Sequence, residues 1–245
     1  MAVVAAASKD DANASTANPS PGRLSRDLII RTALEQIDAT GAHGLSMRSL
    51  AHELGVEAMS LYRYVRGKED LLEGVVDLLM NDLLADLDAE LAEHWQGFLQ
   101  TIAHRVRRIA VEHPNVFPLV ATRPPEAPWL RPPLRSVEVV NAFLAALIAR
   151  GFSDQQAVDA YRSFSSFLLG QLLLESATRG APLAPVSEPL GEEGAASPSK
   201  DAAATLADVP EVRRLRDMLS VDRSDEEFEV SLEVLLDRIH HEVGP

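Results

Sequence analysis

The stretch Leu45–Leu72, LSMRSLAHELGVEAMSLYRYVRGKEDLL, reads as two short helices and the start of a long one, joined by tight turns. Ser46 can cap a first helix carrying Leu50, Ala51 and Leu54, which Gly55 ends. A second helix is predicted from Glu57 to Tyr64, and Gly67 breaks it. A helix-turn-helix over residues 46–68 needs a small residue where its two helices cross, supplied by Ala51. It also needs a turn residue tolerant of positive φ, supplied by Gly55. Val56 and Leu61 would seat the second helix on the first. Ala58, Met59, Ser60, Tyr62 and Arg63 are then left to face a DNA major groove. Ser46, Met47 and Arg48 stand at the start of the first helix, where Arg48 reaches a phosphate or a base. Tyr62, Tyr64 and Lys68 suit the flanking phosphates. Only Arg48 and Arg63 have the fork geometry for a bidentate guanine contact. The plain alternative is two core helices with Tyr62 and Tyr64 as packing residues.

Outward from this stretch the helical period continues almost throughout. Leu24–Thr40 places Leu28, Ala33, Leu34 and Ile37 on one face and stops at Gly41. Residues 1–21 have no period and read as a disordered arm. Downstream, helices are predicted over Lys68–Glu90 and Trp95–Val111. Seven prolines between 114 and 133 then allow at most one short helix. Further helices follow over Leu134–Arg150, Asp154–Ala177 (opened by a Ser153/Gln156 capping box) and Val209–Leu219. The last begins at a Ser224/Glu227 capping box and ends near Glu242. Residues 178–204 are low in complexity and read as a mobile loop. No alternating strand is found. The expected class is all-α: an N-terminal three-helix helix-turn-helix domain at 22–68 and a larger α-helical ligand-binding and dimerisation domain at 69–245.

The net charge of −14 argues against DNA until it is divided along the chain. Residues 22–68 hold seven basic and five acidic side chains, whereas the rest holds 16 basic and 32 acidic. Only the first part suits a phosphate backbone. The chain has no cysteine, which removes disulfides and thiolate metal sites and fits a reducing compartment. No apolar stretch approaches the ~20 residues of a membrane span, and the N-terminus lacks the basic region of a secretory signal. A cytoplasmic protein without a membrane partner is expected. The seven histidines show no ligand spacing: His104 and His113 are nine apart, His240–His241 lie at the C-terminus, and His94 reads as a helix-start residue. No metal, cofactor or catalytic group is expected.

The run Gly55–Val56, then Leu-Tyr-x-Tyr-Val at 61–65 and Lys-x-x-Leu-Leu at 68–72, closely resembles the DNA-binding region of the tetracycline-repressor (TetR) family. The likeness extends back through RTALEQIDATGAHGLSMRSLA at 31–51 and covers Leu24–Leu79. More weakly, WQGFL at 95–99, TRP at 122–124, GFS at 151–153 and LGQLLLE at 169–175 look like the regulatory core of the tetracycline-sensing subgroup. The resemblance implies a homodimer built through helices near 154–176 and 225–242, and a ligand pocket between the reading heads and that bundle.

In that subgroup histidines and an asparagine hold the drug and its magnesium. Ungapped placement puts the first histidine position at Leu84, the asparagine at Ile102, a neighbouring aromatic at Val106 and the metal-ligating histidine at Leu119. Thr122, Arg123 and Pro124 remain. A hard cation wants oxygen or imidazole ligands, so the pocket is expected to be metal-free and largely apolar. Phe117, Trp129, Phe143 and Phe164 could be its walls or plain core. Arg123 could meet an acidic ligand group, end a helix, or be a solvated loop residue.

These readings point to a ligand-responsive repressor that binds palindromic operator DNA and is released by a small, mainly hydrophobic effector. Two alternatives stay open: an all-α enzyme with an incidental helix-turn-helix, and a DNA-binding regulator with no effector. Activation instead of repression is a variant of the first reading.

Overall fold

The computed structural model describes residues 24–85, 94–122, 127–181 and 209–242. The expected arm at 1–21, the continuation of the fourth helix to Glu90, most of the loop expected at 178–204, and Arg123 lie outside the described residues. Ten helices are described: α1 (Arg26–Gly44), α2 (Met47–Glu53), α3 (Ala58–Leu61), α4 (Lys68–Ala85), α5 (Trp95–Glu112), α6 (Phe117–Val120), α7 (Val137–Ile148), α8 (Asp154–Thr178), α9 (Pro210–Leu219) and α10 (Ser224–Glu242). No strand occurs among the described residues, so the all-α class holds.

Capping explains most of the boundaries. Ser25, Ser46, Ser136 and Ser153 accept the amides of Leu28, Ser49, Val139 and Gln156, opening α1, α2, α7 and α8. The capping box expected at Ser153 and Gln156 is present. The one expected at Ser224 and Glu227 is replaced. Asp222 instead accepts both the amide and the hydroxyl of Ser224, at 3.0 and 2.6 Å, because Ser224 already lies inside the helix. Regular α1 geometry breaks at Gly41, where φ is 75°, at the residue where the apolar period stops.

The buried face of α1 differs from the expected one. Ile29, Ile30, Ala33 and Ile37 are buried, while Leu28 is exposed and Leu34 half-buried. The helix is rotated to put Ile30 against Gly74 of α4. A Cβ built at Gly74 would stand 2.6 Å from Ile30 Cδ1, so the two helices meet there at backbone distance. α3 is also shorter than expected, four residues against eight. The Leu61 carbonyl accepts both the Tyr64 and Val65 amides, at 2.9 and 3.1 Å, and Val65 turns into the core at 2% exposure.

In the remainder, α8 packs against α5, α6, α7 and α10, and α4 packs against α5 and α6. An aromatic cluster fixes this contact: Phe143 lies 5.7, 5.8 and 5.6 Å from Phe98, Tyr161 and Phe164. Beside it, the buried Glu175 carboxylate of α8 takes a bidentate fork from Arg107 of α5 at 3.1 and 2.9 Å, and a further bond from Arg179. Arg107 also reaches Asp225 at 2.6 Å and lies over the Phe228 ring, so one guanidinium ties α5, α8 and α10 together.

Candidate nucleic-acid interface and internal cavity

The turn between α2 and α3 has the geometry a DNA-reading motif needs. Ala51 is 2% exposed at the crossing, and Gly55 adopts φ 66°. The Val56 amide bonds back to the Ala51 carbonyl at 2.9 Å, which swings α3 across α2. Leu61 is fully buried and seats α3. On the outer side, Met59 is 74% exposed, with Tyr62 and Tyr64 also out. Arg48 and Arg63 are exposed, and neither side chain has a partner among the described residues. Ala58, Ser60 and Met47 are half-buried at the edge of the same face. The Ser46 hydroxyl is taken up by capping, and Ser49 links it to Gln36 of α1.

Lys68 has a task within the fold: its Nζ donates to the Ala42 carbonyl at 2.9 Å, past the break in α1. Asp70, in the first turn of α4, accepts the Arg66 amide at 2.8 Å and pairs with Arg26 of α1 at 2.7 Å. The amide bond and the guanidinium hold its carboxyl below the usual carboxylate range, against a smaller burial effect. The start of α4 is thus bolted to α1 at two points.

The far half of α4 serves a different site. Met80 and Leu83 help line a cavity closed by α5, α6, α7, α8 and Leu134, with a volume of about 40 Å³. Of the expected ligand residues, Ile102, Val106, Phe143 and Phe164 line it. Phe117, Leu119, Thr122 and Trp129 do not. Phe117 is fully buried in the core, and Leu119 is half-buried outside the cavity. The Thr122 hydroxyl donates to the Leu119 carbonyl and accepts from Arg135, so it fastens a turn. Trp129 is 73% exposed and faces a separate open groove with Glu73, Asp77 and Glu138. The Leu84 side chain lies outside the described residues. The residues missed were chiefly Tyr161, Ser165, Leu168 and Leu169, whose i, i+4, i+7, i+8 spacing on α8 already marked one helical face. Among the described residues no group of three His, Asp or Glu side chains converges as a metal site would require. No described helix is long and apolar enough to cross a membrane.

Residues 29–75 match the family described as bacterial regulatory proteins, tetR family, and residues 89–243 match the tetracyclin repressor-like C-terminal domain. The chain belongs to the TetR family. Its membership makes α1–α3 the family's N-terminal helix-turn-helix domain. Among curated relatives, an HTH-type transcriptional regulator of Saccharopolyspora erythraea is 31% identical over 156 residues, covering 64% of this chain and 63% of that protein. The Escherichia coli tetracycline repressor protein class E is 34% identical over 160 residues, covering 64% and 71%. The chain thus matches less than two thirds of the first of these TetR-type relatives. Among solved structures, TetR from Acinetobacter baumannii AYE aligns over 91% of this chain and all of its own, with TM-score 0.65 and 22% identity. ActR from Streptomyces coelicolor, in complex with actinorhodin, aligns over 91% and 100%, with TM-score 0.63 and 23% identity. These two TetR-family structures share the fold.

Proposed function

We propose that this chain is a ligand-responsive transcriptional repressor that binds a palindromic operator as a homodimer and is released by a small, mainly hydrophobic effector. Residues 22–68 would form the reading head and 69–245 the ligand-binding and dimerisation body, working in the cytoplasm. The observation that carries this reading is the double attachment of α4. Its first turn is bolted to the head through Lys68 and Asp70, and its far half walls the apolar cavity with Met80 and Leu83. A guest that displaced that wall would move the lever on which the head is mounted, shifting the population between two head spacings.

Ser46, Met47, Arg48, Ala58, Met59, Ser60, Tyr62, Arg63, Tyr64 and Lys68 would meet the operator. Direct base readout would rest on the two arginines, with the tyrosines fixing position. Ile102, Val106, Phe143 and Phe164, with the α8 residues beside them, would meet the effector. The dimer reading is supported by Leu174 of α8 and by Val230 and Val234 of α10. These are 64%, 55% and 64% exposed, on the helices that would form the bundle. A cavity of only about 40 Å³ favours a second reading, a DNA-binding regulator with no effector.

Sedimentation of the free protein, together with a mobility shift on the duplex upstream of its own reading frame, tests the proposal. It expects a dimer and a discrete shifted band. A monomer that leaves that duplex unshifted contradicts it.

A further inference from the structure

The body cavity has a sharply limited chemistry. Among the described residues no charged side chain lines it, and the only polar side chains there are Tyr161 and Ser165. Both are buried, one helical turn apart on α8. The Tyr161 hydroxyl donates to the Pro132 carbonyl at 3.0 Å, so its one proton is spent. Ser165 hydrogen-bonds to the same phenol oxygen. With the phenol proton committed to Pro132, the serine must be the donor in that bond. Both protons are therefore used, and the two oxygens have only lone pairs left to offer. Burial pushes the Tyr161 phenol up to about 12, so it stays neutral and cannot act as a counter-charge to a cation.

Three classes of guest are disfavoured by this arrangement. An anion or a cation would lose its hydration with no opposite charge to meet. A guest offering only acceptors would find no free proton, and a pure hydrocarbon would leave the remaining lone pairs of the two oxygens without a donor. What remains is an apolar body with one donor. We infer that the cavity is a site for an uncharged lipophilic molecule carrying a single hydroxyl, of phenol or alcohol type, whose proton is accepted by the Ser165 and Tyr161 oxygens.

This inference rests on the reading of the body as effector-binding. The present volume is below the roughly 150 Å³ that holds a benzene ring, so a wall must yield. Met80, with its unbranched and adaptable thioether, is the lining side chain best suited to do so. Because Met80 lies on α4, the same yielding would load the lever.

The test is thermal unfolding of the full chain with three probes of one ring system: 1-naphthol, 1-methoxynaphthalene and 1-naphthoate. The naphthol is expected to raise Tm in a concentration-dependent way, the methyl ether to do so less, and the carboxylate not at all. Ser165→Ala and, separately, Tyr161→Phe should each weaken 1-naphthol about 2- to 10-fold, the size of one neutral hydrogen bond; Ser165→Ala should leave the methyl ether unchanged, and Tyr161→Phe, which frees the serine proton, should not weaken it. Each variant's ligand-free Tm checks its fold. Equal stabilisation by ether and naphthol, stabilisation by the carboxylate, or no shift with any probe overturns the inference. Duplex binding by the ligand-free protein is read separately, so failure here and failure of the regulator reading are distinguishable.

Discussion

His113 Nδ1 lies 2.7 Å from Asp38 Oδ2, joining the residue that ends α5 to the α1 helix of the reading head. Asn115 donates its side-chain amide to the Asp38 carbonyl at 2.8 Å, so two side chains beyond α5 grip one residue of α1. Asp38 Oδ1 is buried with no hydrogen-bond partner among the described residues, which makes the carboxylate depend on His113 for its compensation. His113→Ala should therefore destabilise the protein by about 1–3 kcal/mol, the cost of stranding a buried acceptor. Asp38→Leu, which removes the stranded group, should recover part of that loss in the double variant. Urea unfolding of the single and double variants reads both effects.

Arg48 and Arg63 carry no structural duty among the described residues, so their removal isolates recognition from folding. Arg48→Ala and Arg63→Ala should each leave Tm unchanged and each cost about 1–3 kcal/mol of discrimination between the preferred duplex and one changed at the contacted base. Lys68→Met should behave differently. It should weaken binding to all duplexes alike, lower the salt dependence by about one counterion and reduce Tm, because its Nζ also holds the Ala42 carbonyl. Fluorescence anisotropy at several salt concentrations separates the two patterns.

Asp70 makes stability depend on pH in a fixed direction. Its folded carboxyl is held below the unfolded value by the Arg66 amide and by Arg26. The stabilisation is therefore fully present above the ordinary carboxylate range, near pH 4, and is lost as pH falls through the lower folded value. Asp70→Asn should lower Tm at pH 7. The gap between variant and parent should narrow as the pH drops below 4. A gap that widens on acidification contradicts the assignment.

Glu175 is buried between two arginines, and exposed pairs on the same body offer a control. Glu175→Ala should cost about 1–3 kcal/mol, because Arg107 loses its buried bidentate partner and keeps only Asp225, while Arg179 stays solvated. Glu242→Ala, which breaks the exposed pair with Arg238, should produce no measurable change. Guanidinium unfolding of the two variants side by side reads the contrast.

What the sequence reveals and what it hides divide along physical lines. Ala51, Gly55 and Leu61 were legible because a helix-turn-helix is a local object, set by residues a few positions apart. The TetR likeness was legible for the same reason, and so was the cap at Ser153. The Leu28 face was misread because Leu28, Ile29 and Ile30 run together and periodicity cannot choose among three adjacent apolar residues. Close approach at Gly74 made the choice. Phe117, Leu119, Thr122 and Trp129 lie in or beside the proline-rich connection, where no period says which way a side chain turns. Tyr161 and Ser165 were within reach through the spacing along α8. The Asp38–His113 bond spans 75 residues and has no local signature at all.

In the proposed function α1–α3 read DNA as one half of a two-fold pair. Selection from random duplexes with the purified full chain, followed by sequencing of the bound fraction, tests it most directly. An enriched inverted repeat is expected whose half-site centres lie one helical turn apart, or a multiple of it, about 34–36 Å per turn. Enrichment should be lost in the Arg48→Ala/Arg63→Ala double variant. A folded protein that enriches no sequence, or only an isolated half-site, would contradict two-fold DNA reading by α1–α3.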